Sequence, residues 1–274
     1  MLLKLLKYDL RSMWKQFRVI WPAALILGLV NRFIFGAPTI YDGSFSLVVG
    51  NYTFAPNGGA FTQWLGVITM FLFFGVFVAM VLVSFIFVIT RFYKGLLGDE
   101  GYLMHTLPVR SWQLVLSKLV CALVVTVVNA IVGVLALVLM MPLNWTELFD
   151  TELWRMILRA LAKHPDTLLY FFEFCALFLT GVTLGALVLY LSMSIGHLFS
   201  SRRVLMSVVA YFGLNILGST LNNLINRLGF PRWLAGLPVN SHGELWISIG
   251  LTLIPVVLMF LATSWILTHK LTLE

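Results

Sequence analysis

The chain has 274 residues, of which 60% are hydrophobic and only 11% charged, and it carries a formal net charge of +7. Soluble domains run about 45–50% apolar and about 25% charged, so this composition, with a mean hydropathy of +0.97, excludes a water-coated fold. Soluble enzymes and nucleic-acid binders are excluded with it. The basic excess reads instead as the cytoplasmic Lys/Arg bias of membrane proteins.

In chain order, residues 1–17 come first. Leu2, Leu3, Leu5, Leu6, Leu10, Met13, Trp14 and Phe17 are interleaved with Lys4, Lys7, Arg11 and Lys15. That pattern predicts an N-terminal amphipathic helix in the membrane interface, its basic face toward anionic lipid. Leucines already fill what would be the basic region of a signal peptide, and no clean small-x-small cleavage site follows, so a retained helix is the better reading. Six apolar segments follow, about 18–36, 64–90, 113–142, 167–198, 204–222 and 245–268. None alternates apolar and polar residues, so the expected fold is an all-α integral membrane protein with six transmembrane helices in a single domain over 1–274. With the N-terminus inside, the 18 Lys and Arg divide about two to one in favour of the cytoplasmic side, which places both termini in the cytoplasm. Between the first two spans, residues 37–63 are rich in Gly, Pro, Asn and Ser and read as irregular. Residues 145–163 have apolar side chains at helical spacing and predict an amphipathic helix on the outer face. Residues 221–239, broken by Gly229, Pro231, Gly236 and Pro238, suit two short helices dipping into the outer leaflet.

Catalytic signatures are missing from the sequence. There is no phosphate loop, no His-Glu-x-x-His pair and no Gly-x-Ser-x-Gly elbow, and the five histidines are scattered over loops and span ends. Cys121 and Cys175 lie inside apolar runs and read as small core residues. The chain is therefore expected to perform no covalent chemistry and to hold no metal or cofactor. Glu173, about two turns into the fourth apolar segment, is the candidate intramembrane polar site, because an ionisable residue at that depth is costly unless it serves a purpose. Asn129, Asn215 and Asn222 read as interhelical hydrogen-bond partners, and Gly181 and Gly185 as a close helix-packing face.

The most informative stretch joins the second and third spans. Gly98 can end one helix, Asp99 can cap a short new one, Pro108 stops it and Ser111 can cap the third span. The expected product is a short cytoplasmic helix within residues 98–110, held between two long membrane helices and displaying Tyr102, Leu103 and Met104 beside Asp99 and Glu100. The run Asp99-Glu100-Gly101-Tyr102-Leu103-x-x-Thr106-Leu107-Pro108-Val109, followed by Ser117-Lys118, resembles the inner loop of bacterial ABC transporter permeases. The likeness is to the six-span exporter class whose ATPase is a separate polypeptide, and Met104, His105 and Arg110 depart from its pattern.

That resemblance implies a coupling helix docking into the ATPase, with Asp99, Glu100, Gly101, Tyr102, Leu103 and Pro108 as the coupling residues. It implies ABC ATPase subunits as partners, with ATP and Mg bound there and not in this chain. It also implies a second permease copy or a related permease, membrane lipids as surroundings, and residence in a bacterial cell membrane. The cargo expected from so few intramembrane charges is apolar or amphipathic: a peptide, a lipid or a drug-like molecule. Two other functions fit the same composition: a non-transporting transducer or sensor subunit of an ATPase complex, and an ion-coupled secondary transporter.

Overall fold

The computed structural model of the protein describes residues 2–34, 47–49, 52–54, 60–97, 111–140, 155, 159, 163, 165–199, 202–227 and 242–269. Its helices are α1 (Leu2–Phe17), α2 (Ile20–Ile34), α3 (Ala60–Phe92), α4 (Ser111–Met140), α5 (Pro165–Gly196), α6 (Arg203–Arg227) and α7 (His242–His269), with a π-helical turn at Tyr93–Leu97 closing α3. Five of them, α3 to α7, are long and apolar enough to cross a membrane. The protein is thus a multi-pass, helical membrane protein.

Over the segment 18–36 expected as the first span, the structure describes a 15-residue apolar helix, α2, and residues 35–36 lie outside the described residues. The start of α2 is set by Pro22, which has no N–H to return to the carbonyl of Arg18, so the ladder of α1 stops and a new one begins. Trp21 folds back and stacks on Phe17, with ring centroids 5.2 Å apart. A departure from the sequence reading lies in the stretch expected to be irregular. Leu47–Val49 and Tyr52–Phe54 pair as antiparallel strands, Val48 opposite Thr53. β-branched and aromatic residues on either side of Gly50-Asn51 favour such a pair. Of the predicted helix over 145–163, the described residues Arg155, Arg159 and Lys163 are helical and exposed, four apart on one face. α6 continues to Arg227, beyond the predicted end of the fifth span; 228–241 lie outside the described residues.

The chain divides into two compact units. One comprises Met1–Asp9, Phe87–Leu123 and Leu161–Glu274; the other comprises Leu10–Ile86 and Val124–Ala160. The second unit is held by polar contacts as well as apolar packing. Trp21 Nε1 donates to Asn129 Oδ1 at 2.7 Å, and Asn129 Nδ2 donates to Ser84 Oγ, so one amide joins α2, α3 and α4. Interhelical bonds of this kind hold membrane helices where no hydrophobic force separates protein from lipid. At Gly28 a Cβ would stand 2.6 Å from the carbonyl oxygen of Ala136, so only glycine lets α2 and α4 come this close.

The first unit has the larger core. Phe92, Leu96, Leu114, Leu119, Leu187 and Tyr190 pack together, with Leu267 of α7 closing the cluster. The rings of Phe92 and Tyr190 stack 4.1 Å apart at 9°. α5 packs on both α6 and α7. Its close approach to α6 is at Gly196, where a Cβ would lie 2.6 Å from the backbone N of Ser207. At Gly181 and Gly185, expected as a packing face, nothing among the described residues comes within 4 Å of such a Cβ. Pro255 inside α7 withholds a donor from the carbonyl one turn earlier, a break that membrane helices tolerate when neighbours cover it.

Candidate functional site

The expected coupling residues Asp99, Glu100, Gly101, Tyr102, Leu103 and Pro108 fall outside the described residues. Both flanks of their loop are described, and both end on the same buried carboxylate. Asp9 of α1 is 1% exposed. Arg91, in the last turn of α3, donates from Nε to Asp9 Oδ1 at 2.7 Å. Lys118, two turns into α4, donates from Nζ to Oδ1 and Oδ2, each at 2.9 Å. The Lys118 side chain is as buried as Asp9, whereas that of Arg91 is 27% exposed.

The surrounding residues fix this cluster in place. Tyr190 of α5 donates its hydroxyl to the Lys118 carbonyl at 3.2 Å, and Phe92, next to Arg91, stacks on the same ring. In the π-helical turn, a Cβ on Gly95 would come 3.3 Å from Cε and Nζ of Lys118, so glycine leaves room for the ammonium. Insertions of this kind widen a helix locally and re-aim its end. The net charge of Asp9, Arg91 and Lys118 is positive, and the two cations divide one carboxylate.

Sequence reasoning passed over Asp9. Its signal was its register: Asp9, Met13 and Phe17 are four apart, so the acid lies on the stripe of α1 whose other members are buried. An acid on the apolar face of a basic helix needs a buried cation. Lys118, inside an otherwise apolar run of α4, is the matching half of that signal.

The other polar site is Glu173, buried at 1% exposure in α5. Its Oε2 lies 2.8 Å from Nδ1 of His242, the first residue of α7. Tyr170, one turn earlier, stacks on the imidazole with centroids 4.0 Å apart. Oε1 is buried and has no hydrogen-bond partner among the described residues. The pair ties the start of α7 to α5 and leaves one carboxylate oxygen unsatisfied. Asn215 donates to the carbonyl of Tyr211 in its own helix, at 2.8 Å. Among the described residues no group of His, Cys, Asp and Glu is placed to hold a metal, and Cys121 and Cys175 are free.

A third ionisable group sits at the α5–α6 turn. His197 follows the last residue of α5, its ring 5.2 Å from that of Tyr93, and its Nε2 is buried without a partner among the described residues. Burial, and then the charge of Arg203, hold its pKa below the ordinary 6.5. The unfolded chain therefore takes up a proton at a higher pH than the folded one. The stability from this residue is complete above about pH 6.5 and is lost as the pH falls through 6.5 toward the folded value. The expected result is a thermal midpoint that drops between about pH 7.5 and about pH 5, and drops less in His197→Phe. Equal drops in the two proteins would remove His197 as the cause.

Compared with protein-family models, curated proteins and solved structures, the chain has no match.

Proposed function

We propose that the chain is the permease subunit of an ATP-driven ABC exporter, powered by ATPase subunits that bind at residues 98–110. The observation that carries this reading is the Asp9 cluster. A loop that transmits force needs rigid arms, and the two helix ends flanking 98–110 are joined to each other and to α1 through one buried carboxylate. Asp99, Glu100, Gly101, Tyr102, Leu103 and Pro108 form the docking segment, with Glu100 meeting a basic residue of the ATPase. ATP and Mg belong to the partner. ATP binding there favours one of two conformations of the membrane helices, and hydrolysis releases it. A second permease copy or a related permease completes the path. The cargo is apolar or amphipathic, and the setting is a bacterial cell membrane.

Mild-detergent purification of the chain from its native membrane tests this directly. The expected result is co-purification of a soluble ATPase with a phosphate loop, lost on Glu100→Arg combined with Tyr102→Ala while the chain stays folded. Recovery of the chain alone, under conditions that preserve other membrane complexes, would overturn it. The Glu173–His242 pair would then favour the ion-coupled transporter, since buried ionisable residues inside membrane helices mark ion pathways.

A further inference from the structure

Over residues 166–185 of α5 one side chain is buried, and it is the acid. Leu169, Phe171, Phe172 and Phe174 around it stand exposed, while Glu173 itself is 1% exposed. α7 packs on α5, and its first residue, His242, is the one ion-pair partner of this carboxylate among the described residues. Neither α5 nor α7 contains a lysine or an arginine. The helices that withdraw the acid from its surroundings therefore carry no permanent cation to balance it.

The pair leaves a defined deficit. Oε2 lies 2.8 Å from His242 Nδ1, and Tyr170 stacks on the imidazole at 4.0 Å, which holds the ring on that oxygen. Oε1 is buried and has no partner among the described residues. A carboxylate accepts at both oxygens, and leaving one unmet away from water is costly. What completes the site must bring positive charge and a hydrogen-bond donor together. A metal ion brings charge but needs several converging ligands, and no group of His, Cys, Asp and Glu among the described residues is placed to hold one. A quaternary ammonium brings charge without a donor. A primary ammonium brings both, with three N–H groups. The His242 side chain is 31% exposed, so the approach to the pair lies on the imidazole side.

We infer that Glu173 and His242 form a binding site for the protonated amine of a cationic amphiphile, the ammonium donating to Glu173 Oε1. Glu173 lies about 12 Å along α5 from Pro165, near enough to the helix end for an amphiphile to keep its head there and its tail in lipid. The tail lies along the exposed Leu169 and Phe172. The site rejects anionic amphiphiles, since a second negative charge beside a buried carboxylate is repelled. That the bound molecule is cargo rests on the transport reading; that it binds does not.

The test uses the full chain in nanodiscs of zwitterionic phosphatidylcholine at about pH 7, where alkylamines are protonated, without nucleotide or ATPase. Dodecylammonium and dodecyltrimethylammonium share a tail and a charge and differ in N–H donors. The expected result is saturable binding of dodecylammonium by isothermal titration calorimetry, at least about tenfold tighter than the trimethyl compound, and no saturable site for dodecyl sulfate. Glu173→Gln removes the charge and abolishes that preference, whereas Glu244→Gln, at an exposed acid in the first turn of α7, keeps it. Equal binding of the two cations to the parent protein would show partition into the bilayer only and overturn the inference, with no variant needed. A preference that survives Glu173→Gln would overturn it too. Loss of dodecylammonium binding to equimolar sodium chloride would assign the site to a metal cation and overturn the amine class. Failure to recover an ATPase leaves amine binding untouched, and an ATPase recovered with a chain that shows no preference leaves the proposed function untouched, so either can fail alone.

Discussion

Replacing Asp9 by leucine will lower the thermal midpoint of the purified protein by on the order of 10 °C, the largest effect expected of any single substitution among the described residues. The reason is asymmetric. Removing the carboxylate leaves Lys118, whose side chain is 1% exposed, as a buried ammonium without a counter-charge. Breaking a buried pair from one side costs about 3–5 kcal/mol, because the remaining charge keeps its desolvation penalty and loses its compensation. Arg91, at 27% exposure, can turn toward water and loses less. The double variant Asp9→Leu with Lys118→Met should therefore recover much of the loss, since no buried charge is left and the volumes are nearly kept. The Tyr190 bond to the Lys118 backbone carbonyl survives in both variants. Differential scanning fluorimetry on the four proteins of this cycle measures the coupling. A single variant as stable as the parent, or a double variant no better than the single, would show that the cluster does not hold the loop flanks.

Glu173→Met is expected to move stability the other way, raising the midpoint by a few degrees. Glu173 is a buried carboxylate with one partner, a half-exposed imidazole, and one oxygen with none among the described residues. Desolvating a charge is compensated only when most of its hydrogen-bonding capacity is met, and here half is unmet. Methionine fills the same unbranched volume without a charge, and His242 can hydrate from its exposed side. Under the proposed transport function, an ionisable side chain buried in a membrane helix belongs to the path, so the same variant is expected to lose transport. A lower midpoint in Glu173→Met would make the pair a structural tie between α5 and α7 and remove Glu173 from any functional site.

The length and position of the membrane helices were legible in the residues alone. Segments read at 64–90, 113–142, 167–198, 204–222 and 245–268 became α3 to α7, each end within a turn or two. A span is a local property, because about 20 consecutive apolar residues satisfy their backbone bonds within the segment wherever it is placed. The polar sites could not be read so directly. Glu173 stood out as a lone acid in an apolar run, but its partner His242 is 69 residues away, at the start of another helix. Asp9 looked like one more charge on a basic helix until Arg91 and Lys118, 82 and 109 residues on, closed around it. Glycines show the same division. Gly181 and Gly185 have the spacing of a packing face and meet nothing within 4 Å, whereas Gly28 and Gly196 sit against a neighbouring backbone. Composition and periodicity determine which segments leave water, because that free energy depends on each segment by itself. Which charge pairs with which, and which glycine is crowded, depends on atoms from distant parts of the chain meeting in space, and only the tertiary structure decides that.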